Sequence, residues 1–101
     1  MAAQASKPPF SLVVGGDFVL TQPQQAMPLS EALAAWWQAP PLRILNVEAP
    51  VARQVLPSQK YGPALHQHEA FDQVWHSSFC NLAQLANNHL MDAGTAGLQS
   101  T

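Results

Sequence analysis
The sequence predicts an α/β domain built on a parallel βαβαβ core. Three observations lead there. Short apolar runs of strand length stand at residues 10–14, 42–47 and 79–86. Stretches with helical spacing of their apolar positions separate them, which is the order that produces parallel strands joined by crossover helices. Each run also ends in polar residues, and ligands of open parallel sheets sit at the carboxyl ends of the strands.

Phe10 to Val14 is rich in β-branched residues and reaches Gly15, Gly16 and Asp17, which predicts a buried strand that stops in a tight turn at the glycines. Ser30 then stands as an N-cap, and Glu31 suits the positive end of a helix. Leu33, Trp36 and Trp37 follow at helical spacing, the two tryptophans are expected in the core together with Phe71 and Trp75, and Pro40 and Pro41 end the helix. Leu42 to Val47 is the second strand, ending at Glu48 with Pro50 beyond it. Residues 49–63 hold three prolines and a glycine, the composition of a long surface loop that could act as a lid. An amphipathic helix is expected over His66 to Ser77, a third strand over Phe79 to Ala86, and a further helix from Thr95. All three strand ends then carry groups able to bind a metal: Asp17, Glu48, and the Asn87, Asn88, His89 triplet.

Composition sets outer limits. Hydrophobic residues make up 48% of the 101 positions and charged ones 10%, too apolar for disorder. The charge is also well below the roughly 25–35% that usually solvates a small domain. One partial domain over residues 1–101 is therefore expected, with residues 1–9 as a lead-in tail and an apolar face open to self-association. Lys7, Arg43, Arg53 and Lys60 are scattered and the net charge is −2, so no basic stripe exists for nucleic acid. Cys80 is the single cysteine; it cannot form an internal disulfide and reads as a small buried hydrophobe. No apolar stretch reaches the ~20 residues of a membrane span and the first ten residues lack a signal-peptide core, so a soluble, cytoplasmic protein is expected from the chain as given.

Gly16-Asp17, Asn46-Val47-Glu48, and Leu85 to His89 followed by Asp92, Gly94, Gly97 and Leu98 resemble, in order and spacing, the bacterial capsule synthesis, or poly-gamma-glutamate synthesis (CapA-like), family. That family is similar in fold to the calcineurin-like metallophosphoesterases, a four-layer α/β sandwich. The resemblance implies that this chain is its amino-terminal, truncated βαβαβ half. It further implies Asp17, Glu48 and Asn88 as metal ligands and His89 as proton donor or oxyanion stabiliser. Mn²⁺ or Mg²⁺ would be the cofactor, and a phosphate ester or a polymer the substrate. It leaves export or membrane anchoring of family members open. Hard oxygen ligands suit such cations on chemical grounds as well. Val19 stands where a metallophosphoesterase usually has a second ligand, a His, so binding is expected to be weak.

Plainer readings stand beside these. Asp17 could shape a turn, Glu48 could be a solvated charge, Asn87 and Asn88 could cap the next helix, and His89 could be structural. His66 and His68 read as surface or capping residues and His76 as a helix-face residue, while Ser11, Ser58 and Cys80 lack the context of a nucleophile. Three functions follow: a metal-dependent phosphoesterase-like hydrolase, a non-enzymatic component of capsule polymer assembly or export, or an inactive remnant.

Overall fold
The computed structural model describes residues 9–52, 62 and 64–101. Most of the lead-in tail and of the loop expected over 49–63 lies outside the described residues. The elements run β1 (Leu12–Phe18), α1 (Glu31–Gln38), β2 (Leu42–Val47), α2 (Phe71–Ser77), β3 (Leu82–Gln84) and α3 (Gly94–Ser100). The strands form one parallel sheet in the order β1-β2-β3, the expected βαβαβ core. Among the described residues no helix is long and apolar enough to cross a membrane.

The first strand corrects the sequence reading, because it does not stop at the glycines. Its register with β2 shifts between Val14 and Asp17, and pairing then resumes as Asp17 with Asn46 and Phe18 with Val47. Gly15 and Gly16 thus form a bulge inside the strand rather than the turn after it. At Gly15 the reason is close approach, since a Cβ there would lie 2.3 Å from Leu45 Cδ2 and 3.4 Å from the Trp37 ring.

Helix α1 begins as expected. Ser30 Oγ accepts a hydrogen bond from Leu33 N at 3.2 Å, and the helix ends at Gln38 with Ala39 and the prolines beyond. Only one of its tryptophans is core. Trp37 is buried and donates from Nε1 to the Ser78 carbonyl at 2.7 Å, whereas Trp36 is 62% exposed. Adjacent positions of a helix point about 100° apart, so a doublet cannot share one narrow face.

The second helix is shorter than its pattern. Residues 66–68 are drawn instead into backbone pairing with the strand ends: Gln67 N donates to Pro50 O at 2.9 Å and His68 N to Leu20 O at 2.6 Å. Gln67 is 2% exposed; its Oε1 accepts from Leu20 N at 2.7 Å while Nε2 donates to the carbonyls of Phe18 at 3.0 Å and Ala49 at 3.1 Å. One amide thereby ties the exits of β1 and β2 together. His68 Nδ1 accepts from Ala70 N at 3.1 Å, in keeping with a capping role, and His66 and His76 are exposed.

Strand β3 is also shorter than the apolar run around it. Phe79 has φ 56 and follows the C-cap of α2, so it belongs to the helix exit and not to the strand. Asn81 adds side-chain bonds to its backbone bond with the Arg43 carbonyl: Oδ1 accepts from Arg43 N and Nδ2 donates to Pro41 O, both at 2.8 Å. Cys80 is half-buried rather than buried, with its Sγ 3.1 Å from the Arg43 carbonyl.

Val13, Phe18, Trp37, Leu45, Val47, Phe71 and Val74 make one core between the sheet and the helices. Phe18 meets Phe71 and Trp75 edge to face, each with ring centroids 5.5 Å apart, a preferred aromatic geometry. These contacts anchor Phe18 and Val47 inward. Alternation along the strands then places their neighbours Asp17 and Asn46 on the opposite face.

Candidate functional site at the carboxyl ends of the strands
Asp17 is the penultimate residue of β1 and Glu48 follows β2 directly, so parallel pairing brings their carboxyl groups to the same end of the sheet. They lie within hydrogen-bonding reach of each other. Asn46, paired with Asp17 across the ladder, donates from Nδ2 to Asp17 Oδ1 at 2.7 Å. That hydrogen bond, followed by the one with Glu48, holds the Asp17 carboxyl below its ordinary value. Glu48 moves the other way: the hydrogen bond with Asp17, then desolvation and the Asp17 charge, raise it. Opposite shifts of this kind are what two neighbouring, coupled carboxyls produce.

The third strand end supplies the rest. Asn87 does not cap the following helix, whose N-cap is Ala93 without a side-chain bond. It reaches across to β2, donating from Nδ2 to Val47 O at 2.8 Å and Asn46 Oδ1 at 3.1 Å, while its Oδ1 accepts from His89 N at 3.0 Å. A continuous relay therefore runs Asp17, Asn46, Asn87, His89. The His89 ring lies between two carboxylates, with Nδ1 2.7 Å from Asp92 Oδ2 and Nε2 3.9 Å from Glu48 Oε1. Gly94 opens α3 at φ 67, a left-handed conformation that suits the glycine of the Asp-x-Gly sequence.

Asp17, Glu48 and His89 are thus brought together, and Asn88 is an exposed residue of the turn beside His89. Sequence reasoning assigned no role to Asn46 or Asp92, and read Asn87 only as part of the strand-end triplet or as a helix cap. The available signal was their place inside the same short motifs, but which amide faces which strand depends on register. Hard carboxylate oxygens fit Mg²⁺ or Mn²⁺. Among the described residues no three His, Cys, Asp or Glu side chains are grouped closely enough to hold a metal by themselves, and a cation held by Asp17 and Glu48 would need its remaining ligands from amide oxygens or water.

A parallel βαβαβ sheet with a carboxylate pair and a His–Asp pair at its carboxyl edge defines an α/β domain with one polar strand-end site. The family model for bacterial capsule synthesis proteins, PGA_cap, matches residues 11–101, and the chain belongs to that family. The match takes in all three strands and every residue of the cluster. Comparison with curated proteins and with solved structures gave no match.

Proposed function
We propose that this chain supplies a divalent-cation site of metallophosphoesterase type within a capsule synthesis protein, with Mn²⁺ or Mg²⁺ as the ion and a phosphate ester or related acyl phosphate as the substrate. The Asp17–Glu48 pair carries the reading. Two neighbouring carboxylates at an open strand end repel when both ionise, and a divalent cation removes that penalty. Asp17 and Glu48 would hold the ion, with Asn88 adding an amide oxygen. The ion would supply Lewis-acid polarisation of a phosphoryl oxygen. Asn46 keeps Asp17 ionised and aimed outward, and His89 stands next to Glu48, where an imidazole can exchange a proton with a reacting oxygen.

Calorimetric titration of Mn²⁺ into the wild-type chain and into Asp17→Asn tests it. Binding should be weak, with a dissociation constant at least ~10-fold higher in the variant, by analogy with losses seen when a site's supporting groups are altered. Equal heats for both proteins, or none, would remove the proposal. An aryl phosphate assay beside it distinguishes a second reading, a polymer-handling role in capsule assembly, which the exposure of Asp17 and Asn88 favours because an open site admits an extended chain. Mn²⁺-dependent turnover lost in Asp17→Asn and His89→Ala supports the hydrolase; binding without turnover supports polymer handling.

A further inference from the structure
We infer that Gln67 is the positioning residue of the Asp17–Glu48 pair: its buried carboxamide sets how far apart β1 and β2 hold the two carboxyl groups. What that spacing serves rests on the reading of the strand-end site given above; the spacing itself does not.

Asp17 and Glu48 are each followed by a residue whose carbonyl accepts from the same side chain. Gln67 Nε2 donates to Phe18 O at 3.0 Å and to Ala49 O at 3.1 Å. The register between β1 and β2 ends at Phe18 with Val47, and the bond that continues it, Glu48 N to Phe18 O, is long at 3.4 Å. The carboxamide therefore bridges the two strands where their own ladder runs out. Its orientation follows from its partners: two carbonyls require the amino group, and Leu20 N, 2.7 Å from Oε1, requires the oxygen. Both amide protons and the amide oxygen are in use. The bridge is itself held, since Gln67 N donates to Pro50 O at 2.9 Å and His68 N to Leu20 O at 2.6 Å, which ties residues 67 and 68 to the exits of both strands. With Gln67 only 2% exposed, loss of the carboxamide would leave its partners buried and unpaired. Ligands of a divalent cation must stand about 2.0–2.6 Å from the ion, and a displacement of ~0.5 Å is enough to spoil such a site. Gln67 acts on the pair through the main chain of the residue after each carboxylate.

Amide hydrogen exchange followed by NMR in metal-free buffer tests the bridge without reference to any ion. Gln67→Met keeps the length of the side chain and removes its hydrogen bonds. The Glu48 amide, whose own bond spans the same two strands, should exchange at least ~10-fold faster in the variant, beyond any change at the buried helical amide of Val74. An equal rise at Glu48 and Val74 marks general destabilisation and would overturn the inference, as would an unchanged Glu48 amide. Calorimetric titration of Mn²⁺ carries the test to the carboxylates. The folded Gln67→Met protein should bind about 10-fold more weakly than wild type, whereas Trp37→Phe, which removes the buried bond to Ser78 O outside the strand-end cluster, should bind as wild type does. Equal affinity in Gln67→Met and wild type, or an equal loss in Trp37→Phe, would sink the positioning role. If Gln67→Met does not fold, the wild-type spectrum decides: the Gln67 carboxamide protons should exchange slowly, and a pair as fast as that of exposed Gln99 would refute the bridge. If wild type binds no Mn²⁺, the proposed function falls and the exchange data alone decide the spacing.

Discussion
Glu48 shows how one contact sets the behaviour of a side chain that sequence treats as an ordinary strand-end charge. Its carboxyl is raised above the ordinary 4.5 by the hydrogen bond with Asp17, so the folded chain binds that proton more tightly than the unfolded chain does. The stabilisation is present below 4.5 and is lost as pH rises through the folded value. Asp17 has the opposite linkage, since its lowered carboxyl favours folding above the ordinary 3.8 and loses that contribution as pH falls through its folded value. Glu48→Gln keeps a hydrogen-bond donor beside Asp17 and removes the repelling charge. We predict a higher thermal midpoint than wild type at pH 7 and convergence of the two midpoints as pH drops below about 4.5, read by circular dichroism. A variant that is less stable at pH 7 would contradict repulsion between the two carboxyls.

Among the secondary structure elements, the α2 exit and β3 depart furthest from their patterns. Phe79 occupies the position after the helix C-cap in a left-handed conformation that glycine usually takes, and its side chain is 53% exposed. A left-handed β-carbon costs about 1–2 kcal/mol. Phe79→Gly should therefore raise stability by about 1 kcal/mol in urea unfolding, after allowance for the greater entropy of the unfolded glycine chain. A loss of stability would mean that the half-exposed ring contributes more packing than its exposure implies. The strand that follows is three residues long with none of them buried, yet it is held at both ends by asparagine side chains, Asn81 to the start of β2 and Asn87 to its end. Asn87→Leu would leave the Val47 carbonyl and the His89 amide without these partners. The expected cost is about 2 kcal/mol, with faster amide exchange at His89.

Over the whole molecule, the sheet packs its core on one side and leaves an apolar row on the other. Val14, Ile44 and Leu82 are register neighbours across all three strands; Val14 is 61% exposed and Leu82 43%. Beside them Leu33 and Trp36 border an apolar groove of about 230 Å³. Contiguous apolar surface of this kind marks an interaction site, and we propose self-association through it. Sedimentation velocity should show concentration-dependent association that Val14→Lys and Leu82→Lys each weaken at least ~10-fold, as the loss of about 1.4 kcal/mol would produce. A monomer at all concentrations would refute this use of the face.

The sequence by itself determined the parallel βαβαβ order, the Ser30 cap, the bounds of β2, and the family, because these depend on local pattern: apolar periodicity, capping chemistry and short motifs. It also named Asp17, Glu48, Asn88 and His89 as the residues of interest at the strand ends. Tertiary structure decided what local pattern could not encode. The bulge that carries Asp17 to the end of β1 follows from the approach of Leu45 and Trp37 to Gly15. Residues 66–68 left their helical pattern because the buried Gln67 amide satisfies backbone groups at the ends of two strands. The relay through Asn46 and Asn87 and the hold of Asp92 on His89 depend on register between segments distant in the chain. Periodicity fixes which face a residue takes, but the partner on that face is chosen by packing, and the chemistry of this site lies in those partners.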